Sequence, residues 1–129
     1  MIKAIIIEDE RPAAANLIKK IAQADESIHV EVTLSTIEES IQWLSTHSLP
    51  ELIFLDIHLS DGLSFNIFKE VRITSPVIFT TTYDKYLLDA FHLNSIDYLL
   101  KPIESQKLCE ALEKFRNTKN YYSENLYSL

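Results

Sequence analysis

Five side chains of contrasting chemistry stand where short apolar runs stop. Glu8 and Asp9 follow the run over 2–7, Asp56 ends the run that starts at Leu52, Thr81 follows Val77-Ile78-Phe79-Thr80, and Lys101 follows the run over 96–100. Gathered in one place, three carboxylates repel. A like-charged pair about 4 Å apart costs roughly 1 kcal/mol in bulk water and about 4 at an effective dielectric near 20. A divalent cation removes that cost, and hard oxygen ligands with open coordination positions favour Mg²⁺. Lys101 adds a fixed positive charge, and a threonine hydroxyl can donate to an anionic oxygen. The inventory suits phosphoryl transfer, in which catalysis is mostly positioning and charge neutralisation.

Each residue taken alone has a plainer reading. Asp9 suits a helix N-cap equally well. Thr81 is an ordinary strand threonine, and Lys101 an ordinary solvated lysine. Asp56 is harder to explain that way, because it interrupts an apolar strand at its buried end. The joint pattern, not any one member, carries the inference.

The elements that must position these groups follow from periodicity. Residues 2–7 form an apolar, isoleucine-rich run broken only by Lys3, as in a central parallel strand buried on both faces. Pro12 suits a helix first turn, and Leu17, Ile18 and Ile21 recur at helical spacing. Residues 28–34 alternate, giving an edge strand with one wetter face. Ile37, Ile41 and Leu44 mark a second helix, with Trp43 as partial core. Leu63, Ile67, Phe68 and Val71 mark a third. Asp84 is placed to cap a fourth, with a stripe of Tyr83, Tyr86, Leu87, Ala90 and Phe91. Ser105 is placed to cap a fifth, with Leu108, Ala111, Leu112 and Phe115 inward. Strict βα alternation over five units means a doubly wound α/β fold, a parallel sheet with helices on both faces. In such sheets ligands gather beyond the carboxyl ends of the strands, where the five side chains fall. The segment 118–129 loses its period and is expected to be a helix end and linker.

Composition narrows the function. The chain has 129 residues, 47% hydrophobic and 24% charged, with a net charge of −7. That charge argues against gripping a nucleic-acid backbone. A lone cysteine, Cys109, excludes an internal disulfide and suits a reducing cytoplasm; its apolar neighbours suggest a buried or half-buried position. No apolar run reaches membrane-spanning length. His29, His47, His58 and His92 lack metal-ligand spacing and are expected at the surface or in loops.

With those residues in view, the sequence resembles the receiver domains of bacterial two-component response regulators over residues 1–118. IIIEDE is similar to the acidic-pair segment, LIFLDI to the phosphoacceptor strand, VIFTTTYD to the switch-threonine segment and DYLLKP to the lysine-proline segment. TTYDKYLLDAF and IDYLLKPI are most similar to the LytTR (LytR/AlgR) subgroup. The resemblance implies a flavodoxin-like, CheY-like strand order 2-1-3-4-5 with five helices. It implies that Asp56 accepts a phosphoryl group from a sensor histidine kinase, that Glu8, Asp9, Asp56 and the His58 carbonyl hold Mg²⁺, and that Lys101 balances charge. It implies switching through Thr81 and Tyr98 at a surface of the fourth helix, fifth strand and fifth helix, a cis Lys101-Pro102 bond, dimerisation on activation, and DNA contact only through a further C-terminal output domain. Part of the Tyr86 stripe is expected to serve dimerisation. Two departures stand out. Leu59-Ser60 replace the usual methionine-proline, which predicts a looser loop, and Thr82 replaces a smaller residue, which predicts narrower access to the phosphate.

Rival readings are a receiver-like interaction module that takes no phosphate, a metal-dependent phosphohydrolase, and a flavin carrier. The phosphohydrolase needs a second acid near Asp56, where His58 stands. The flavin carrier is disfavoured by an acidic first loop and a single glycine.

Overall fold

In the computed structural model, the described residues are 1–82 and 95–128, with side chains described to residue 118. Their strands are β1 (Ile2–Ile7), β2 (Ile28–Leu34), β3 (Leu52–Asp56), β4 (Val77–Thr81) and β5 (Ser95–Leu100). They form one parallel sheet in the order β2-β1-β3-β4-β5. The helices are α1 (Arg11–Ala24), α2 (Ile37–Thr46), a short α3 (Ile67–Glu70) and a long last helix, Ser105–Ser128. The expected Asp84 cap, the Tyr83 to Phe91 stripe and His92 lie outside the described residues.

Each face of the sheet buries its own apolar cluster. Ala4, Ile6, Leu52, Phe54 and Ile78 pack with Leu17 and Ile21 of α1 and with Leu108, Leu112 and Phe115. Ile5, Ile7, Ile53, Leu55 and Phe79 pack with Ile37, Leu44 and Ile67 on the other face. Trp43 is half-buried against the second cluster, as expected. Alternate residues of β3, β4 and β1 from Ala4 onward therefore face opposite cores, which is why these stretches read as apolar runs. β2 buries Ile28 and Leu34 and exposes His29 and Glu31, as an edge strand should.

Three expectations need correction. Leu63 does not belong to the third helix. It lies in a two-stranded hairpin, pairing with His58, and a 3-10 turn over Ser64–Asn66 precedes α3. Val71 is already extended at φ −131, ψ 132, so the helix is much shorter than the apolar spacing suggests. Ile18 is 39% exposed, flanking the buried stripe of α1. Cys109 is exposed; it follows Leu108, and one helical step of about 100° carries it off the buried face. The last helix continues to Ser128, through most of the segment 118–129.

Candidate functional site

The sheet ladder extends past each strand's end and aims the polar residues at one rim. The Glu8 amide donates to Leu34 O at 2.8 Å, the Ile57 amide to Thr80 O at 2.9 Å, and the Lys101 amide to Thr81 O at 2.8 Å. The first side chain after the apolar run of β1, the last of β3 and the first after β5 are thus fixed by main-chain bonds to a neighbouring strand.

Glu8, Asp9 and Asp56 each present a carboxylate oxygen, and these oxygens lie within 4.8 Å of one another. Glu8 and Asp56 are each only 5% exposed. Lys101 Nζ donates to Glu8 Oε1 and, at 2.9 Å, to Asp56 Oδ2. The other Asp56 oxygen, Oδ1, accepts from the His58 amide at 3.2 Å. The Glu10 amide donates to Glu8 Oε2 at 3.2 Å. Asp9 does not cap α1: Glu10 occupies that position, with no side-chain capping bond. A cleft of about 280 Å³ opens over the cluster, lined by Asp9, Glu10, Asp56, His58, Leu59, Thr82 and Lys101.

The electrostatics match the crowding. Burial, together with the hydrogen bond and charge of Glu8, raises the Asp9 carboxyl above its ordinary value; a backbone hydrogen bond and Lys101 offset only part of this. Burial works against a charged Lys101, but its hydrogen bonds and attraction to Glu8 and Asp56 outweigh that and raise its pKa. Three carboxylates beside one ammonium leave negative charge in excess. Hard oxygens partly open to solvent are the donor set that Mg²⁺ takes, so these residues fit that ion.

A family model for the response regulator receiver domain matches residues 4–113. The chain belongs to the response regulator receiver domains. Sensory transduction protein LytT of Bacillus cereus is 30% identical to this receiver domain over all of it and 53% of the relative's length. LytR of Staphylococcus epidermidis is 32% identical over 87% of the domain and 45% of its own length, in keeping with the LytTR subgroup. The receiver domain spans about half the length of these curated relatives. In crystal structures, the response regulatory domain of mrkE from Klebsiella pneumoniae matches 90% of it at TM-score 0.77 and 25% identity, covering 96% of that chain. A two-component response regulator from Clostridium difficile matches 93% at TM-score 0.77 and 26% identity, covering 99% of that chain.

The receiver domain brings Glu8, Asp9, Asp56, His58 and Lys101 together. Thr81 is 1% exposed at the end of β4 and does not line the acidic cleft; Thr82, next along the chain, does. Tyr98 is half-buried against the Phe79 side of the core and lines a separate cavity with Asp97, Leu100 and Lys107. The Lys101-Pro102 bond is cis, as the resemblance implies.

The loop after Asp56 forms a paired hairpin with Leu59-Ser60 in place. Leu59 is buried, His58 and Leu59 pair with Leu63 and Gly62, and the Ser64 amide donates to Ile57 O at 2.8 Å. His29 and His47 are exposed as expected, and His47 stacks on Trp43 with ring centroids 4.3 Å apart. Glu10 and Asp61 were missed by the sequence reading. Glu10 was visible as a third acid after β1, whereas Asp61 acts on residues more than twenty positions away and left no local signal. Among the described residues, no helix is long and apolar enough to cross a membrane.

Proposed function

We propose that this receiver domain takes a phosphoryl group onto Asp56 from the phosphohistidine of a sensor histidine kinase, in a Mg²⁺-dependent step. The observation that carries the reading is the setting of the Asp56 carboxylate. One oxygen is held by Lys101 and the other by the His58 amide, beside the Glu8 and Asp9 carboxylates.

An Asp56 oxygen attacks phosphorus in line, the P–O bond forms as the P–N bond breaks, and the imidazole leaves with the electron pair. Lys101 balances charge on the acceptor oxygens. Glu8, Asp9, Asp56 and the His58 carbonyl would hold Mg²⁺, which supplies positive charge against the carboxylates and the phosphoryl oxygens. The Thr81 hydroxyl then moves toward the acyl phosphate and Tyr98 follows. This biases a two-state surface that includes β5 and the long last helix. In a longer protein, that surface controls homodimerisation and a LytTR-type DNA-binding output. Support for this last step is the similarity to LytT and LytR over about half their length. The reading places the domain in the cytoplasm as a signalling acceptor, not a turnover enzyme, with 1–118 as the receiver unit and the following residues leading toward the output.

The test is treatment with a small-molecule phosphodonor and Mg²⁺, read by intact mass, on wild type and Asp56→Asn. A single phosphoryl adduct in the wild type alone is expected. Equal labelling of both proteins, or of neither, sinks the proposal.

A further inference from the structure

Asp61 ties the loop beyond Asp56 to a different layer of the molecule. Its Oδ1 accepts from the Ile37 amide at 2.9 Å and its Oδ2 from the Glu38 amide at 3.2 Å. These are the first two N–H groups of α2, which have no partner within the helix. The third, Glu39 N–H, is satisfied by Thr36 Oγ1 at 3.0 Å. The helix start is thus capped twice, once by its own N-cap residue and once by a carboxylate from a distant loop. A carboxylate also complements the positive end of the helix dipole.

Asp61 occupies the second turn position of the hairpin in which His58 pairs with Leu63 and Leu59 with Gly62. Gly62 has φ +136, and a Cβ there would approach Ile37 Cδ1 to 3.4 Å. At the other end of the hairpin, the His58 amide donates to Asp56 Oδ1. A continuous path therefore runs from the acceptor carboxylate, through the His58 peptide and the hairpin turn, to the first turn of α2.

We propose that Asp61 is a positioning residue for the phosphoacceptor site: its bidentate grip on α2 fixes the hairpin that sets the His58 peptide against Asp56 and its carbonyl toward the metal position. This rests on the reading of the site given above. Asp61 touches no reacting atom, and its effect passes through the His58 main chain.

The test compares Asp61→Ala, Asp61→Asn and Thr36→Ala. Thr36→Ala removes a cap from the same helix while leaving the hairpin attached, so it controls for loss of helix stability alone. Two quantities are read: Mg²⁺ affinity by titration, and amide hydrogen exchange over residues 57–64. Asp61→Ala should weaken Mg²⁺ binding roughly tenfold, the usual scale for losing a group that orients a metal ligand, while Thr36→Ala stays within about twofold of wild type. Exchange over 57–64 should accelerate in Asp61→Ala and not in Thr36→Ala. Asp61→Asn, which keeps one acceptor, should fall between, and it carries the comparison if the alanine variant does not fold. Unchanged affinity and exchange on changing Asp61, or equal losses in Thr36→Ala, overturn the inference. A wild type that binds Mg²⁺ but takes no phosphoryl group overturns the proposed function alone, and the variants still decide the role of Asp61. A wild type that binds no Mg²⁺ overturns both.

Discussion

Lys101 Nζ lies 2.9 Å from Asp56 Oδ2 and donates at the same time to Glu8 Oε1, so one ammonium joins the carboxyl ends of β1 and β3. The two acids are almost fully buried and Lys101 is 18% exposed. Lys101→Ala should therefore destabilise the metal-free domain by about 2 kcal/mol, the scale for leaving buried charged acceptors without their donor. Asp56→Asn leaves Lys101 its Glu8 partner and removes one crowded negative charge, so it should be neutral or stabilising. Urea denaturation in chelator checks the pair, and an Asp56→Asn loss as large as that of Lys101→Ala contradicts the crowding account.

Added Mg²⁺ should stabilise the fold by mass action. At ten times its dissociation constant the gain is about 1.4 kcal/mol. Asp9→Asn removes one of the three clustered carboxylates and should abolish most of that gain. Thermal melts with and without Mg²⁺ measure it, and an undiminished Mg²⁺ response in the variant shows that Asp9 is not a ligand.

Gly62→Ala forces an L side chain into φ +136. The expected cost is roughly 1–3 kcal/mol, the range for strained backbone at a non-glycine residue. Denaturation midpoints test this, and a neutral result means that the hairpin relaxes freely.

Asp25 links α1 to the long last helix. Its Oδ2 accepts from Arg116 Nη1 at 2.6 Å and its Oδ1 from the Ser27 hydroxyl and amide. The Ser27 hydroxyl is the largest influence lowering the Asp25 pKa. Burial opposes it, and the Ser27 amide and Arg116 add to the lowering. A depressed folded pKa contributes stability that is complete above the unfolded value near 3.8 and is lost as pH falls through the lower folded value. Asp25→Asn should thus be less stable than wild type at neutral pH and converge with it in acid. A gap that persists below both values points to a lost contact and not to charge.

The sheet was legible because β3, β4 and β1 from Ala4 onward have no polar residue until they reach the rim, where the break in hydropathy marks both the strand end and the site. Asp56 stood out for that reason, and Lys101 because it halts the β5 run. The spacing of Leu63, Ile67, Phe68 and Val71 fitted a helix, but periodicity cannot register that Gly62 at positive φ turns a hairpin through Leu63 first. Cys109 was judged by its neighbours in sequence, whereas a helix sets burial by angle. Asp61 was unreadable for a different reason: its partners, Ile37 and Glu38, meet it only once the layers have packed.

The double-sided burial of β1 leaves its alignment open to a kind of error. Ala4, Ile5, Ile6 and Ile7 are apolar on both faces, so no alternation of polar and apolar residues within that stretch sets the strand's alignment. The polar end sets it instead: a one-residue slip that put Asp9 in the place of Glu8 beside Lys101 would push Glu8 into the buried position of Ile7. The acids that make the site therefore also act as the stop that sets the frame of the central strand. Errors of frame in folding should show as a carboxylate stranded among apolar side chains as well as a changed rim.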